Sequence, residues 1–238
     1  MKKLFSLLSP FEWGLWSSSL AAVVLSFLLS PERDALSLAA SAVGVTALIF
    51  VAKGHVAGQA LTVVFAVLYG IVSFACRYYG EMITYLGMSA PAALFAMISW
   101  LRHPYRGTTE VAVARMTAKK WLFAALATLS ATVSFYFILG ALGTAELLVS
   151  TLSVTTSFAA VYLTWRRSPL FAVAYAANDI VLIILWCLAA AEDASCLSVV
   201  VCFAAFLAND IYGYLSWQRM ARRQAATLEN CTVWPERQ

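Results

Sequence analysis

Long apolar runs, each closed by a few charged, small or turn-forming residues, follow one another along nearly the whole chain. A bilayer core takes about 20 apolar residues per helical span. On that rule the pattern predicts eight spans, over 11–30, 35–53, 57–76, 82–101, 121–141, 147–165, 169–190 and 195–217. The breaks between them are short, at Pro31 to Asp34, Gly54-His55, Arg77 to Glu81, Gly140 to Glu146, Arg166 to Pro169 and Ala191 to Ser195. Only the connection from Arg102 to Lys120 is long. Strand-length alternation is missing, and helices or closed barrels alone satisfy their backbone in lipid. The expected fold class is therefore an all-α integral membrane protein with eight transmembrane helices.

Composition agrees with this reading. The 238 residues are 62% hydrophobic and 12% charged, with a mean hydropathy of +0.81, whereas soluble domains carry roughly 25% charge. With eight spans, both termini and the even-numbered loops share one side. That side holds Lys2, Lys3, Lys53, Arg102, Arg106, Arg115, Lys119, Lys120, Arg166, Arg167, Arg219, Arg222, Arg223 and Arg237, and the other only Arg33 and Arg77. The bias places both termini in the cytoplasm of a multi-pass plasma (inner) membrane protein and supports the even span count. Met1-Lys2-Lys3 resembles the start of a signal peptide, but the stretch after it is nearly a full span and is read as retained. The basic 102–120 loop reads as a loop facing anionic lipid, with no nucleic-acid partner. Trp100, Trp121, Trp165 and Trp217 all fall at cytoplasmic span ends, where belt indoles are expected. The tail from Gln218 to Gln238 is polar and expected to end in disorder, and Asn230-Cys-Thr within it is a chance glycosylation match.

Five cysteines without ligand spacing read as small apolar residues. Two histidines, His55 and His103, sit at span ends. No metal site and no cofactor are expected.

An internal repeat is visible at the span ends. Span four closes on Ser99-Trp100-Leu-Arg102 and span eight on Ser216-Trp217-Gln-Arg219. Each ending follows two briefly connected helices. The simplest division is an N-terminal tail and accessory span (1–34), a first triplet (35–102), a basic loop with a connector span (103–145), a second triplet (146–218) and a cytoplasmic tail (219–238). One span between triplets gives them the same orientation. SWEET-type transporters use such 3+1+3 parallel repeats, with substrate held near the midplane between the halves.

At this point a family can be named. Val43-Gly44, Leu68-Tyr69-Gly70-Ile71, Tyr78-Tyr79-Gly80-Glu81, Ser99-Trp100, Asn178 and Gly213-Tyr214-x-x-Trp217 resemble the PnuC family of vitamin-precursor transporters over roughly residues 35–220. The resemblance implies a SWEET-like fold, commonly a homotrimer with one pore per protomer. It implies facilitated diffusion of a small vitamin precursor or nucleoside such as nicotinamide riboside, trapped by a cytoplasmic kinase. In the family's seventh span, Trp-x-x-Trp-x-x-x-Asn/Asp stacks rings on the substrate base. Here that frame reads Phe171-x-x-Ala174-x-x-x-Asn178, and Tyr175 ahead of Asp179 offers an aromatic one position along.

The chemistry expected of the site rests on two copies of Ala-Asn-Asp-Ile, at Ala177–Ile180 and Ala208–Ile211. A carboxylate at mid-bilayer costs about 2.5–3.5 kcal/mol on insertion scales and stays where it has a function. At 1.5 Å per residue, Asp179 lies about 16 Å deep and Asp210 about 10 Å from the Trp217 level. Candidate substrate residues are Phe171, Tyr175, Asn178 and Asp179 on span seven, Asn209, Asp210 and Tyr212 on span eight, and Tyr69 in the first triplet. Tyr85, Tyr136 and Tyr162 are weaker candidates, and Gln59 reads as a shallow snorkelling amide. Each candidate also has a packing role open to it: asparagines tie helices together, and tyrosines fill cores. Pro91 is expected to kink span four, which would suit a gate.

No Walker-type phosphate loop occurs, and no nucleophile or metal group accompanies the carboxylates. The reading is therefore a carrier working by alternating access, not an enzyme. The aspartates leave a second carrier reading open, in which they exchange protons or attract a cationic heterocycle such as thiamine. A non-transporting scaffold or receptor is the competing class. It requires dry, close-packed contacts around spans seven and eight and no central cavity.

Overall fold

The computed structural model describes residues 8–29, 35–75, 79–144, 146–192 and 196–232. The sequence features at Met1 to Lys3, Pro31 to Asp34, Cys76 to Tyr78, Asp193 to Ser195 and Val233 to Gln238 lie outside them. Among the described residues, eight helical segments are long and apolar enough to cross a bilayer, matching the number of apolar runs. They are α1 (Pro10–Leu29), α2 (Ala35–Ala52), α3 (Val56–Ala75), a composite fourth span, α6 (Ala118–Ala141), α7 (Leu147–Trp165), α8 (Phe171–Glu192) and α9 (Leu197–Thr232). The fourth begins as α4 (Tyr79–Ile83), widens into a π-helical stretch over Thr84–Ser89, and resumes as α5 (Ala90–Arg102). Pro91 explains the break. It offers no N–H, its ring crowds the carbonyl four residues back, and the wider π turn absorbs both effects.

Apolar composition makes all eight helices insoluble, but burial sorts them. α2, α3 and α7 are the most enclosed, whereas α1 and α6 present most of their surface outward, with Leu122, Phe123, Leu126, Leu129 and Phe137 exposed on α6. α2 packs on α3, and α3 on α5; α7 packs on α8, and α8 on α9. The two triplets meet where α2 touches α9 and α5 touches α7. At both seams the first helix of one triplet meets the last helix of the other.

The C-terminal ends of α2 and α7 are built alike. Past α2, Gly54 N–H donates to Val51 O (2.9 Å) and His55 N–H to Phe50 O (3.0 Å). Past α7, Arg167 N–H donates to Thr164 O (3.0 Å) and Ser168 N–H to Leu163 O (3.0 Å). Both turns need a left-handed residue, and Gly54 (φ 65°) and Arg167 (φ 57°) supply it. In Arg167 the side chain makes that conformation cost about 1–2 kcal/mol. The next helix is capped the same way in each case: Ala57 N–H donates to His55 Nδ1 (3.1 Å), and Leu170 N–H to Ser168 Oγ (3.4 Å).

The long connection is an ordered strap across both turns. Val111 N–H donates to Gly54 O and Ala114 N–H to Arg167 O, each at 3.0 Å. Gln224 of α9 grips the strap, accepting from Val113 N–H (2.9 Å) and donating to Val111 O (3.0 Å), and Arg223 pairs with Glu110. The end of the tail, where disorder is expected, lies outside the described residues. The last helix does not stop near Trp217 but runs on to Thr232, because its polar extension has the strap to bind.

Two of the four expected belt tryptophans are also corrected. Trp121 and Trp165 are half-exposed, but Trp100 and Trp217 are fully buried. Their indole N–H groups donate to Thr164 O (3.1 Å) and Val51 O (2.8 Å) at the ends of α7 and α2. With those acceptors inside, the rings have no need of the headgroup level.

Candidate functional site

Six of the eight spans surround one cavity of about 80 Å³. α2 contributes Gly44, Ala47, Leu48 and Val51, and α3 contributes Gln59, Thr62, Phe65 and Ala66. Tyr85 and Ser89 come from the π-helical stretch of the fourth span. Opposite them stand Ser157 of α7, Tyr175, Asn178 and Asp179 of α8, and Phe203, Phe206 and Asp210 of α9. No residue of α1 or α6 lines it among those described. Gly44 is what allows α2 this close to α9: a Cβ there would stand 2.4 Å from Phe206 Cζ.

Asn178 is the most firmly held polar group. Its Oδ1 accepts from Thr156 Oγ1 (2.8 Å), Ser157 Oγ (2.9 Å) and Ser153 Oγ (3.4 Å), all on α7. Three hydroxyls thus fix the orientation of the Asn178 amide on the cavity wall. Asp179 and Asp210 come from adjacent helices, α8 and α9, and line the same cavity. Both are buried, at 3% and 4% exposure, on the cavity wall. Neither takes part in an ion pair among the described residues. Around these groups Phe65 meets Tyr85 (5.8 Å) and Phe206 (5.4 Å) edge to face, so the apolar walls are largely aromatic.

Of the eight candidates, the structure brings four to this cavity: Tyr175, Asn178, Asp179 and Asp210. The other four do not line it. Asn209 donates to Ser19 Oγ (2.9 Å) and Ala205 O (2.8 Å), tying α1 to α9. Tyr212 donates to Glu12 Oε1 (2.6 Å), and Lys53 pairs with the same carboxylate at 3.0 Å. Phe171 stacks edge-on against Trp217 at 4.9 Å, toward the strap. Tyr69 lies behind the wall, 4.4 Å from the Tyr85 ring and 5.6 Å from Phe65. Tyr136 is exposed on α6, and Tyr162 donates to Lys120 O (3.4 Å).

Gln59 corrects the snorkelling reading, since it is 3% exposed and lines the cavity. The signal was one residue earlier. A Cβ at Gly58 would stand 2.5 Å from Val51 N, so α3 starts pressed against α2 and under the strap, and its first turn is interior. Ser157 and Thr62 were missed because a hydroxyl in an apolar helix can bond back to its own carbonyls, as Thr62 does to Gly58 O (2.9 Å). Only the fold shows that α7's hydroxyls converge on Asn178.

Comparison with known proteins bears on this arrangement. Residues 34–219 match the family described as nicotinamide mononucleotide transporter. The chain is 28% identical to the nicotinamide riboside transporter PnuC of Neisseria mucosa, over 94% of this chain and 87% of that one. It is 23% identical to the nicotinamide riboside transporter PnuC of Haemophilus influenzae, over 90% and 92%. The fold superimposes on the crystal structure of the vitamin B3 transporter PnuC with a TM-score of 0.80 and 25% identity, covering 91% of this chain and 94% of that one.

Proposed function

The chain belongs to the nicotinamide mononucleotide transporter family, and from that premise we propose that it carries nicotinamide riboside, or a heterocyclic nucleoside close to it, through the six-helix cavity. It is a multi-pass membrane transporter and not an enzyme. The observation that carries the reading is the composition of the cavity wall. Both triplets supply it, and the two remaining spans supply none of it. Rocking of two like-oriented triplets about that point would expose it to each side in turn.

The lining favours the riboside over the phosphorylated form. Among the described residues two aspartates and no Lys, Arg or His line the cavity, so a phosphate would meet carboxyl groups and find no cation. Asn178 reads an acceptor on the substrate through its NH₂, and Tyr85, Phe65 and Tyr175 give its ring flat apolar contact. Tyr175, Asp179 and Asp210 complete the contact set. Phe171, Tyr69, Asn209 and Tyr212 hold the helices that present it. At about 80 Å³ the cavity is smaller than the ~150 Å³ that encloses benzene. A nucleoside therefore requires the triplets to part, and the π-helical break before Pro91 gives the fourth span a place to bend.

The remaining parts of the reading rest on the placement of basic residues, for orientation, and on the family resemblance, for trapping and assembly. The termini and the strap face the cytoplasm, a cytoplasmic kinase traps the product so that diffusion runs inward, and the protomers assemble as a homotrimer with α1 as an accessory span. A thermal-shift screen of purified protein against nicotinamide riboside, its mononucleotide, thiamine and riboflavin tests the substrate. The riboside is expected to stabilise the parent protein and not Asn178→Ala. Stabilisation by the mononucleotide instead would overturn the choice.

A further inference from the structure

A cavity meant for a neutral ligand gains nothing from a pair of carboxylates in its wall. Asp179 and Asp210 are each more than nine-tenths buried, and both face the same space. Asp179 Oδ2 is buried without a hydrogen-bond partner. Among the described residues no cationic side chain lines the cavity, and the two ion pairs among them, Lys53 with Glu12 and Arg223 with Glu110, involve neither aspartate. The two carboxyls share the cavity wall with aromatic rings instead, chiefly Tyr85, Tyr175 and Phe206. Carboxylates beside π faces are the surroundings that favour a delocalised organic cation.

We infer that the Asp179–Asp210 pair is the counter-charge for a positively charged flat ring, and that it makes this transporter selective for cationic over neutral heterocycles of the same shape. The inference rests on the substrate reading above and sharpens it, because the pyridinium ring of nicotinamide riboside carries such a charge. Asn178 then orients the substrate through a neutral hydrogen bond, while the pair senses its charge. The division of labour follows position: Asn178 is anchored to α7 by three hydroxyls, whereas the aspartates face the cavity from α8 and α9 and Asp179 Oδ2 has no hydrogen-bond partner.

The test compares ligands that differ in ring charge and little else. Binding of nicotinamide riboside and of its reduced dihydro form, whose ring is neutral, is measured on the purified transporter by calorimetry. Ring-methylated nicotinamide, a cation, and neutral nicotinamide form a second pair without the ribose. In the parent protein each cation is expected to bind about tenfold or more tightly than its neutral partner, the scale of one charge-assisted contact. The Asp179→Asn, Asp210→Asn double variant is expected to lose that preference, and a monodisperse elution profile with a cooperative thermal transition shows that it is folded. Equal binding of cation and neutral partner by the parent protein overturns the inference, as does a preference that survives the double variant. Should neither form of the riboside bind while the methylated cation keeps its Asp-dependent advantage, the substrate reading falls and the charge selectivity stands.

Discussion

The indole rings of Trp100 and Trp217 stand 5.3 Å apart, and each N–H reaches into the opposite triplet, to Thr164 O and Val51 O. Each acceptor is the penultimate residue of its triplet's first helix, and each also receives a turn N–H, from Arg167 and Gly54. The two tryptophans thus join the halves of the carrier where the cavity approaches the strap.

Trp217→Phe keeps an aromatic ring beside Phe171 but removes the donor together with part of a fully buried indole. A buried hydrogen bond contributes about 0.5–1.5 kcal/mol, and thermal unfolding in detergent should show a loss of at least that size, with the lost ring volume adding to it. Trp100→Phe should cost the same. Because the rings touch, the double variant should depart from additivity. Two fully additive losses would mean that the tryptophans do not act as one joint.

The hydroxyls that hold Asn178 set its amide, so removing them should weaken substrate binding through Asn178. Ser157→Ala is expected to raise the Kd for nicotinamide riboside roughly two- to tenfold, and Thr156→Val similarly, from the net worth of a hydrogen bond. Calorimetric titration measures this. An unchanged Kd in both would show that the amide is held by other means.

Tyr212 and Asn209 were expected at the site and lie on the α1 seam. Tyr212→Phe breaks the bond to Glu12, which leaves Lys53 as that carboxylate's charged partner. The expected result is a lower melting temperature, by the equivalent of about 1–3 kcal/mol for a hydrogen bond to a charged group, with a substrate Kd unchanged within about twofold. A Kd that rises with no loss of stability would return Tyr212 to the site.

Between α2 and α3, outside the spans, burial pulls the His55 imidazole below its ordinary pKa. Its Nδ1 accepts from Ala57 N–H, a bond the protonated ring cannot accept, and a cation at a helix N-terminus is unfavourable. The folded pKa is depressed, so the unfolded chain binds the proton more readily. This stability is present above the unfolded value of about 6.5 and is lost as pH falls from there through the folded pKa. Unfolding temperature should therefore drop between pH 7 and pH 5.5 by more in the parent protein than in His55→Asn, which keeps a capping oxygen and does not titrate. Identical pH profiles would remove His55 from the account.

The architecture was legible because apolar run length and the placement of basic residues both act one span at a time. Asp179 and Asp210 stood out for the same reason: a carboxylate in lipid is conspicuous without knowledge of its neighbours. What depended on neighbours was not legible. Trp100 and Trp217 looked like belt residues because span ends are where belts form, and nothing local reveals the buried carbonyls waiting for them. Asn178 and Asn209 sit in identical tetrapeptides, yet one faces α7's hydroxyls and the cavity while the other meets Ser19 of α1. Gln59 looked shallow by count along its helix and is interior because the strap covers that end.

Counterflow of labelled nicotinamide riboside in proteoliposomes tests the six-helix cavity as the transport site most directly, with the parent protein, Asn178→Ala and Tyr212→Phe compared side by side. The parent and Tyr212→Phe are expected to exchange label at similar rates while Asn178→Ala falls to the level of empty liposomes. Undiminished exchange by Asn178→Ala, or none by the parent protein, would contradict it.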